Sequence, residues 1–531
     1  MASSKSKQSE NSDILLKSEL IEILRNSKSI EGPTTKYILN TTVLTEGKLL
    51  KRERIGQKKD KPHKIILMVG ETGTGKSTLI NAMINYSMGV RWEHKMWLEV
   101  IEIPEDQTES QTKAVTVYEV NALDSPFDLT VIDTPGFGDT EGFDKDKRVS
   151  EALQELFRSE DGIREIHAVC IVLNATDVLL HDRQCYILDE ILSLFGKDIE
   201  KHILLLFTHQ EKKNLPKRIM NFLKESFTKY VKNDENVCFL FDNCQSEYSD
   251  EEDRDTYKTS WNNGVENFSK FFDHLNNINP KSLHITEVVL RARKQLDACV
   301  GNLRDRIELA ELKKKELEQI KTALDTLENY KKEQNNFQYE VDEPYKEAVP
   351  INASRWKWSK RATRCEVCKE NCHYPGCWWV RDLSWCSVME EGKCTVCTHK
   401  CHYTKHVKDS KIYVPKTRKV TKTKYDLKKK YEEDVGEKKS LMAKLEKDIQ
   451  QMEAEKIRLV EECYQCFDKL METALKSTSI SSFIHIDFII EKVKETGNQE
   501  RVQKLEELKK RAIEENRGLV EGIYIYSQMI I

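Results

Sequence analysis

Apolar residues recur along this chain with two different periods, and the change of period divides it. Between about Lys61 and Pro280 they come in short runs: Ile65–Val69, Ala114–Val120, Leu129–Asp133, Ala168–Asn174, Ile203–Phe207 and Val237–Phe241. Runs of this length, separated mostly by helical stretches, predict strands of a parallel sheet covered on both faces. One connection breaks the rule. Only a short turn containing Asp124, Ser125 and Pro126 joins the second and third runs. It is too short for a right-handed crossover, so those two strands should pair antiparallel. From about Ile285 the spacing becomes helical. Leu317, Ile320, Leu324 and Leu327 follow 3-4-3 spacing with charges between them. A second pattern, from about Tyr425 to Leu475, sets Leu441, Leu445, Ile449, Met452 and Leu459 on one side. Two such arms form, most economically, an antiparallel hairpin. At about 1.5 Å per residue, forty to fifty residues reach roughly 60–75 Å. Each stripe needs a partner, which is the other arm or a second protomer.

The expected organisation is an N-terminal segment, partly disordered, over 1–60, with a short amphipathic stretch at Ile14–Leu24. An α/β domain follows over 61–280, then a first helical arm over 281–345. A Cys/His-rich module occupies 346–415 and sits at the tip of the hairpin. A second arm with C-terminal helices fills 416–531. At 531 residues several domains are expected. Charged residues are 33%, above the usual quarter, which suits long solvated helices. The net charge is only −4, so the total implies no nucleic-acid partner. The first residues, MASSKSKQSENSD, are polar, and Ala stands at position 2 where myristoylation needs Gly. No apolar run approaches the ~20 residues that cross a bilayer. A cytoplasmic protein without a transmembrane segment is expected. Between Lys405 and Lys430 stand eleven Lys or Arg and two Asp. The alternating YVPKTRKVTKTKY inside it suggests a basic hairpin. It reads as a solvated face, or as a peripheral contact with acidic lipid or protein.

The densest chemistry is GETGTGKST, Gly70 to Thr78. Gly70, Gly75, Lys76 and Ser77 fill every fixed position of G-x-x-x-x-G-K-[ST]. A strand precedes it and an apolar, helical run, Leu79 to Ile84, follows. In that setting backbone N–H groups and a helix N-terminus converge on an anion. Thr72, Gly73 and Thr78 belong to the same cradle. Lys76 reaches the β- and γ-phosphates, and Ser77 ligates Mg²⁺. DTPG, Asp133–Gly136, ends another strand. There an acidic residue holds Mg²⁺ through water and Gly136 contacts the γ-phosphate.

With DTPGFGDTEGFD, INAMINYSMGVRW and LLLFTHQE in place, the chain resembles the septin-related GTPases. That group includes the immunity-associated GIMAP proteins and the GTPases of the chloroplast outer-envelope translocon. The resemblance covers roughly 220 residues, and more weakly an animal branch with a C-terminal Cys-rich segment. It implies a Ras-like P-loop fold with a mostly parallel sheet, and GTP or GDP rather than ATP as the ligand. It sets Thr112 as the switch threonine that reaches Mg²⁺, with Thr108 the alternative. No N-K-x-D is present. Thr208, His209 and Gln210 stand where the base is read, His209 packing on guanine and Asn243 contributing. Phe137 occupies the position of the water-orienting Gln of Ras-type enzymes, so turnover should be slow. The resemblance implies a homodimer across the nucleotide face, in which a partner supplies a missing group. Arg91, Arg148 and Arg183 are candidates. Catalysis rests on Lys76 and Thr112. The alternative is a scaffold that binds GTP without hydrolysing it.

Eight of the fifteen cysteines lie between Cys365 and Cys401. CEVCKENCHY and CTVCTHKCHY repeat C-x2-C-x3-C-H-Y. Paired C-x2-C knuckles with further Cys and His in reach are the raw material of zinc sites. Disulfides would need an oxidising compartment. Cys365, Cys368, Cys394 and Cys397 are the leading ligands, as paired knuckles commonly share an ion. Cys372, Cys377, Cys386, Cys401, His373 and His402 complete the candidate set, with His399 and His406 also in reach. The module should bind an unknown protein partner. A ubiquitin-ligase RING has longer spacing and another Cys-His order. Cys463 and Cys466 read as ordinary helix residues.

Overall fold

The computed structural model describes residues 17–47, 49–101, 114–137, 143–159, 161–176, 182–209, 238–242, 254–329, 338–351, 361–374, 376, 380, 382–423, 438–476 and 485–515. Two compact units divide the chain. The first is Met1–Leu290 with Thr473–Ser479 and Asn516–Ile531, and the second is Arg291–Glu472 with Ile480–Glu515.

The first unit opens with α1 (Ser18–Arg25), β1 (Lys28–Ile30), β2 (Thr35–Ile38), β3 (Thr42–Glu46) and β4 (Leu50–Ile55). It continues through β5 (His63–Gly70), α2 (Lys76–Met88), β6 (Met96–Glu99), β7 (Val115–Val120), β8 (Asp128–Asp133), α3 (Phe143–Arg158), β9 (Glu165–Ile166) and β10 (Ala168–Asn174). Then come α4 (Asp182–Ser193), β11 (Ile203–Thr208), β12 (Cys238–Leu240), α5 (Arg254–Asn277) and β13 (Lys281–Ser282). Eight strands form one sheet in the order β12-β11-β10-β5-β8-β7-β4-β3. The sheet is parallel apart from β7–β8 and β3–β4. The antiparallel β7–β8 pair is the one the short turn dictates. The strand runs read from the sequence lie within two residues of the observed strands.

The N-terminal segment differs from expectation. Far from standing aside, β3 and β4 extend the main sheet, with β4 parallel to β7. Both strands are short and charged, and charge is tolerated because cross-strand pairing satisfies it. Arg54 Nη2 lies 2.7 Å from Glu119 Oε2 across that ladder.

Helix α2 buries nearly its whole length, including Asn81 and Asn85. These amides act as surrogate strand partners. Asn85 Oδ1 accepts from Leu98 N (2.9 Å) and its Nδ2 donates to Leu98 O (2.8 Å). Asn81 Oδ1 accepts from Val100 N and Ile101 N. Phe127, Phe268, Phe271, Phe272 and Phe241 pack the layer beyond.

His167 sits in this core, its Nδ1 accepting from Ile65 N at 3.1 Å. Burial, with Lys64, His63 and His202 nearby, holds it down to about 4. The unfolded chain therefore binds the proton more tightly than the folded one. The stabilisation is complete above the ordinary histidine value and is lost as pH falls toward 4. His63, also lowered by burial, acts in the same direction. Thermal midpoints should fall between pH 7 and 5. His167→Asn, which keeps an acceptor near Nδ1 without titrating, should flatten that slope in scanning calorimetry. An unchanged slope would remove His167 as the cause.

The second unit contains most of α6 (His284–Asn329), then β14 (Gln338–Pro350), β15 (Ala362–Cys365), β16 (Glu370–His373), β17 (Met389–Glu390), β18 (Lys393–Cys394), β19 (His406–Asp409) and β20 (Lys411–Thr423). Helices α7 (Lys438–Thr473), α8 (Ile486–Glu495) and α9 (Gln499–Glu515) complete it. Helices α6 and α7 run antiparallel. Cys299 meets Cys463 and Cys466 near one end, and Arg306 pairs with Glu455 further along.

Two expectations change here. The first arm does not run to 345, because a long ribbon intervenes. Strands β14 and β20 pair over thirteen residues each, from Gln338↔Thr423 to Pro350↔Lys411. The alternating basic stretch is one leg of it. The ribbon also moves the cysteine module away from the hairpin tip. Its open end docks on α6 where Gln319 exchanges hydrogen bonds with Asp342. From Asp342 the strand then retraces eight residues to Pro350, about 27 Å at ~3.4 Å each. The module consequently packs much earlier on α6. Arg291 Nη2 donates to Met389 O, and Asn302 lies against Glu370. Ile320, buried beside this docking point, shows the stripe of α6 covered within the chain. The side chains of Leu324, Leu327, Leu441 and Leu445 lie outside the described residues.

Candidate functional site

The phosphate loop lies where β5 turns into α2. Gly73 (φ +84°) and Gly75 (φ +80°) both adopt the left-handed region that L side chains rarely occupy. Gly75 is the N-cap of α2, so the first turn, with Ser77 and Thr78 half-buried, turns toward the loop the N–H groups that have no acceptor within the helix. Lys76 is buried, its Nζ donating to Gly70 O and Glu71 O at 3.1 Å each. The ammonium is thus held over the loop that it would use to meet phosphate.

Asp133, the last residue of β8, is fully buried beside β5. Beyond it the chain crosses the loop. Phe137 N donates to Gly70 O at 3.0 Å, and Thr72 N donates to Phe137 O at 3.3 Å. Gly136 is needed for contact. A Cβ there would meet Thr72 Oγ1 at 2.3 Å and Thr72 Cα at 2.6 Å. The two loops therefore form one surface in which a shift of Gly136 must move Thr72. Phe137 itself points into the core, 1% exposed. The position thus carries no group that faces a nucleotide.

Thr208 ends β11, where the sequence places it. It is buried, and its hydroxyl donates to Thr74 O at 2.7 Å. It braces the phosphate loop from behind. His209 is exposed at the rim with φ +55°, its Nδ1 3.1 Å from Thr208 Oγ1. A non-glycine residue in that region is strained and is held by its surroundings. Arg91 is exposed and Arg148 half-buried on α3. Thr108, Thr112, Gln210, Asn243 and the Arg183 side chain lie outside the described residues.

In the second unit the cysteines converge. Twelve described cysteines are free thiols. Ligand atoms of Cys365, Cys368, Cys397 and Cys401 lie within 4.8 Å of one another, and so do those of Cys372, Cys394, Cys397 and His406. The Cys372 and Cys397 thiols bond to Cys394 and hold it well below the usual thiol range. The same contacts push Cys372 up. A thiolate enclosed by thiols and imidazole is the donor set of a borderline-soft cation such as Zn²⁺. His373 Nδ1 stands apart, 3.3 Å from Cys386 Sγ. His402 is exposed, its Nδ1 2.9 Å from Thr404 Oγ1, and joins neither group. His406, five residues after Cys401, takes a place in the second group instead. Cys377 lies outside the described residues. Cys463 and Cys466, read as ordinary helix positions, face Cys299 across the hairpin.

Residues 64–258 match the sequence profile described as the AIG1 family. Among solved structures, Toc33 from Arabidopsis thaliana in complex with GDP and Mg²⁺ is 18% identical. That likeness covers 42% of this chain and 89% of that one, with a TM-score of 0.30. Toc33 with Mg²⁺ and GMPPNP is likewise 18% identical, covering 42% and 88%, TM-score 0.30. A structure of chloroplast translocon components atToc33 and psToc159 is 21% identical, covering 42% and 87%, TM-score 0.30. No curated protein matches the chain. Among the described residues no helix is long and apolar enough to cross a membrane.

Proposed function

We propose, from the premise that residues 64–258 form a domain of the AIG1 family, that this protein binds guanine nucleotide with Mg²⁺ and hydrolyses GTP slowly as a dimerising switch in the cytoplasm. One observation carries the reading: Lys76 stands over a loop built on Gly73 and Gly75 at the start of α2, beside the buried Asp133. Backbone N–H groups and Lys76 would bind the β- and γ-phosphates. Ser77 and Asp133 would hold Mg²⁺, which neutralises the charge that develops on those oxygens. Selection of guanine over adenine, through His209 and Asn243, rests on the family resemblance, as does the role of Thr112.

The contact between Gly136 and Thr72 gives the switch a physical basis. A γ-phosphate entering beside Thr72 displaces Gly136, and with it the chain that follows. Buried Phe137 leaves the attacking water without an orienting group from its own loop. A second protomer, facing the first across the nucleotide, would supply one. The same buried phenyl ring favours the scaffold reading as runner-up, in which GTP is held and not cleaved.

The second unit is read as a module folded around Zn²⁺. Its described interior is thiols with few aliphatics, among them Val380, Val388, Met389 and Val396. Metal would take the place of a larger core, leaving the module's surface to a protein partner. Nucleic acid is not expected as a ligand.

Mass and turnover measured together test the whole, with GDP and with a slowly hydrolysed GTP analogue. The expected result is a dimer favoured by the analogue and turnover per chain that rises with protein concentration. Flat turnover from a monomer would sink the dimerising switch. Absence of γ-phosphate release over hours would leave the scaffold.

A further inference from the structure

The two cysteine repeats look like two tandem sites, each binding its own ion. The geometry points to something else. We propose that the repeats are crossed: Cys365, Cys368 and Cys401 with His399 hold one ion, and Cys394, Cys397 and Cys372 with His406 hold the other. Each knuckle is then completed by the third cysteine of the opposite repeat. This rests on the reading that the module binds zinc, and adds which side chains share each ion.

The thiol contacts, together with the strand register, argue against the tandem arrangement. Cys365 on β15 pairs with Glu370 on β16, and Cys372 lies two residues further along, at the bulge where the register slips between Arg364↔Asn371 and Thr363↔His373. Two strand steps are about 6.8 Å. Sulfurs sharing a tetrahedral ion at ~2.3 Å lie only about 3.8 Å apart. Cys372 is thus carried past the first knuckle, to thiol contacts with Cys394 and Cys397. The return crossing is equally direct. Cys401 Sγ lies 3.7 Å from Cys368 Sγ, and the Cys365 thiol also bonds to Cys401. A backbone bond from Cys394 N to Cys401 O (2.8 Å) brings the ends of the second repeat together while its side chains serve different ions.

The histidines divide the same way. His399 Nδ1 is 3.2 Å from Cys368 Sγ. His406 pairs with Cys365 in the β15–β19 ladder, yet its ring reaches Cys397. Cys397 lies near both groups, and its own thiol contacts decide its allegiance. They are Cys372, Cys394 and His406. Each ion thereby receives three sulfurs and one nitrogen, a closed structural set with no ligand shared.

The knuckles are also prepared as thiolate acceptors. Cys368 N donates to Cys365 Sγ at 3.4 Å, and Val396 N and Cys397 N donate to Cys394 Sγ at 3.4 Å each. Both leading cysteines carry the same inward-turned amides, as expected if each heads a separate site. Crossing also has a mechanical result. Each repeat contributes ligands to both sites, so unfolding of either repeat opens both.

Zinc counting on the full chain, by native mass spectrometry of paired variants, tests the crossing. Cys365→Ser with Cys401→Ser removes two ligands of one ion, and so does Cys372→Ser with Cys394→Ser. Each pair should lose one zinc relative to the parent protein. Cys365→Ser with Cys372→Ser touches both sites and should lose two. Tandem sites reverse the pattern and overturn the proposal while leaving zinc binding intact. A parent protein that retains no zinc overturns the zinc reading itself. Should the variants fail to fold, the unmutated chain loaded with cadmium-113 gives the answer through proton–cadmium correlations. Cys372 and Cys394 β-protons must correlate with the same cadmium, and those of Cys365 with the other. Correlation of Cys397 with both would show a bridging thiolate and overturn the unshared assignment.

Discussion

Lys76→Ala will weaken binding of Mg²⁺-GTP and Mg²⁺-GDP by roughly tenfold to a hundredfold or more. The substitution removes a cation whose charge-assisted hydrogen bonds are worth about 1.5–3 kcal/mol. Lys76 also donates to Gly70 O and Glu71 O in the present state, so its loss affects the loop as well as the ligand. Lys76→Met, which keeps the aliphatic stem but has no donor, separates lost packing from the lost cation. Both variants should bind weakly by calorimetry, while the methionine variant keeps the parent thermal midpoint more closely. Affinity equal to the parent's in a folded Lys76→Ala protein would show that this loop does not hold the phosphates.

Stripping metal with a chelator under reducing conditions should unfold the segment between α6 and α7, with nucleotide affinity largely kept. Structural zinc contributes about 10–16 kcal/mol in small metal-dependent domains, as much as or more than a typical domain's entire stability. The module has little else. Cys365, Cys372, Cys386, Cys394 and Cys397 supply much of its described interior. Limited proteolysis before and after chelation gives the readout, with new cleavage expected between about residues 361 and 423. The buried Glu370 should go with the module. It accepts from Thr398 N at 3.0 Å and lies 3.8 Å from Arg306 on α6. Unchanged cleavage in a demonstrably metal-free protein would show that the cysteine cluster folds by itself.

Legibility in the sequence followed the distance over which each signal acts. The phosphate loop was readable because strand, glycines, Lys76 and helix are contiguous. The antiparallel β7–β8 pair was readable because chain length alone forbids a crossover. Strands β3 and β4 were not. LKRERI carries four charges in six residues, and only the pairing of Arg54 with Glu119 and the burial of Glu53 make it a sheet member. Thr208 is legible as a strand end, but its bond to Thr74 O is not, because local pattern does not say what lies behind a strand end. The cysteine repeat announced a metal-type cluster. Which thiols meet depends on β15, β16 and β19 stacking, and no spacing encodes that. His402 repeats the motif and is exposed, while His406 lies outside the motif and joins the cluster.

The return path of β14 and β20 works as a ruler. Its open end is fixed against α6 by Gln319, and its far end by Asn371, whose amide brackets Tyr413 with bonds to N and O. Strand facing survives only even changes of length, since one added residue inverts the side chains. Adding two residues to each leg lengthens it by about 6.8 Å, which four to five residues of helix match at ~1.5 Å each. Related proteins with longer arms should therefore carry longer ribbons in that proportion, holding the cysteines at a constant depth along the shaft.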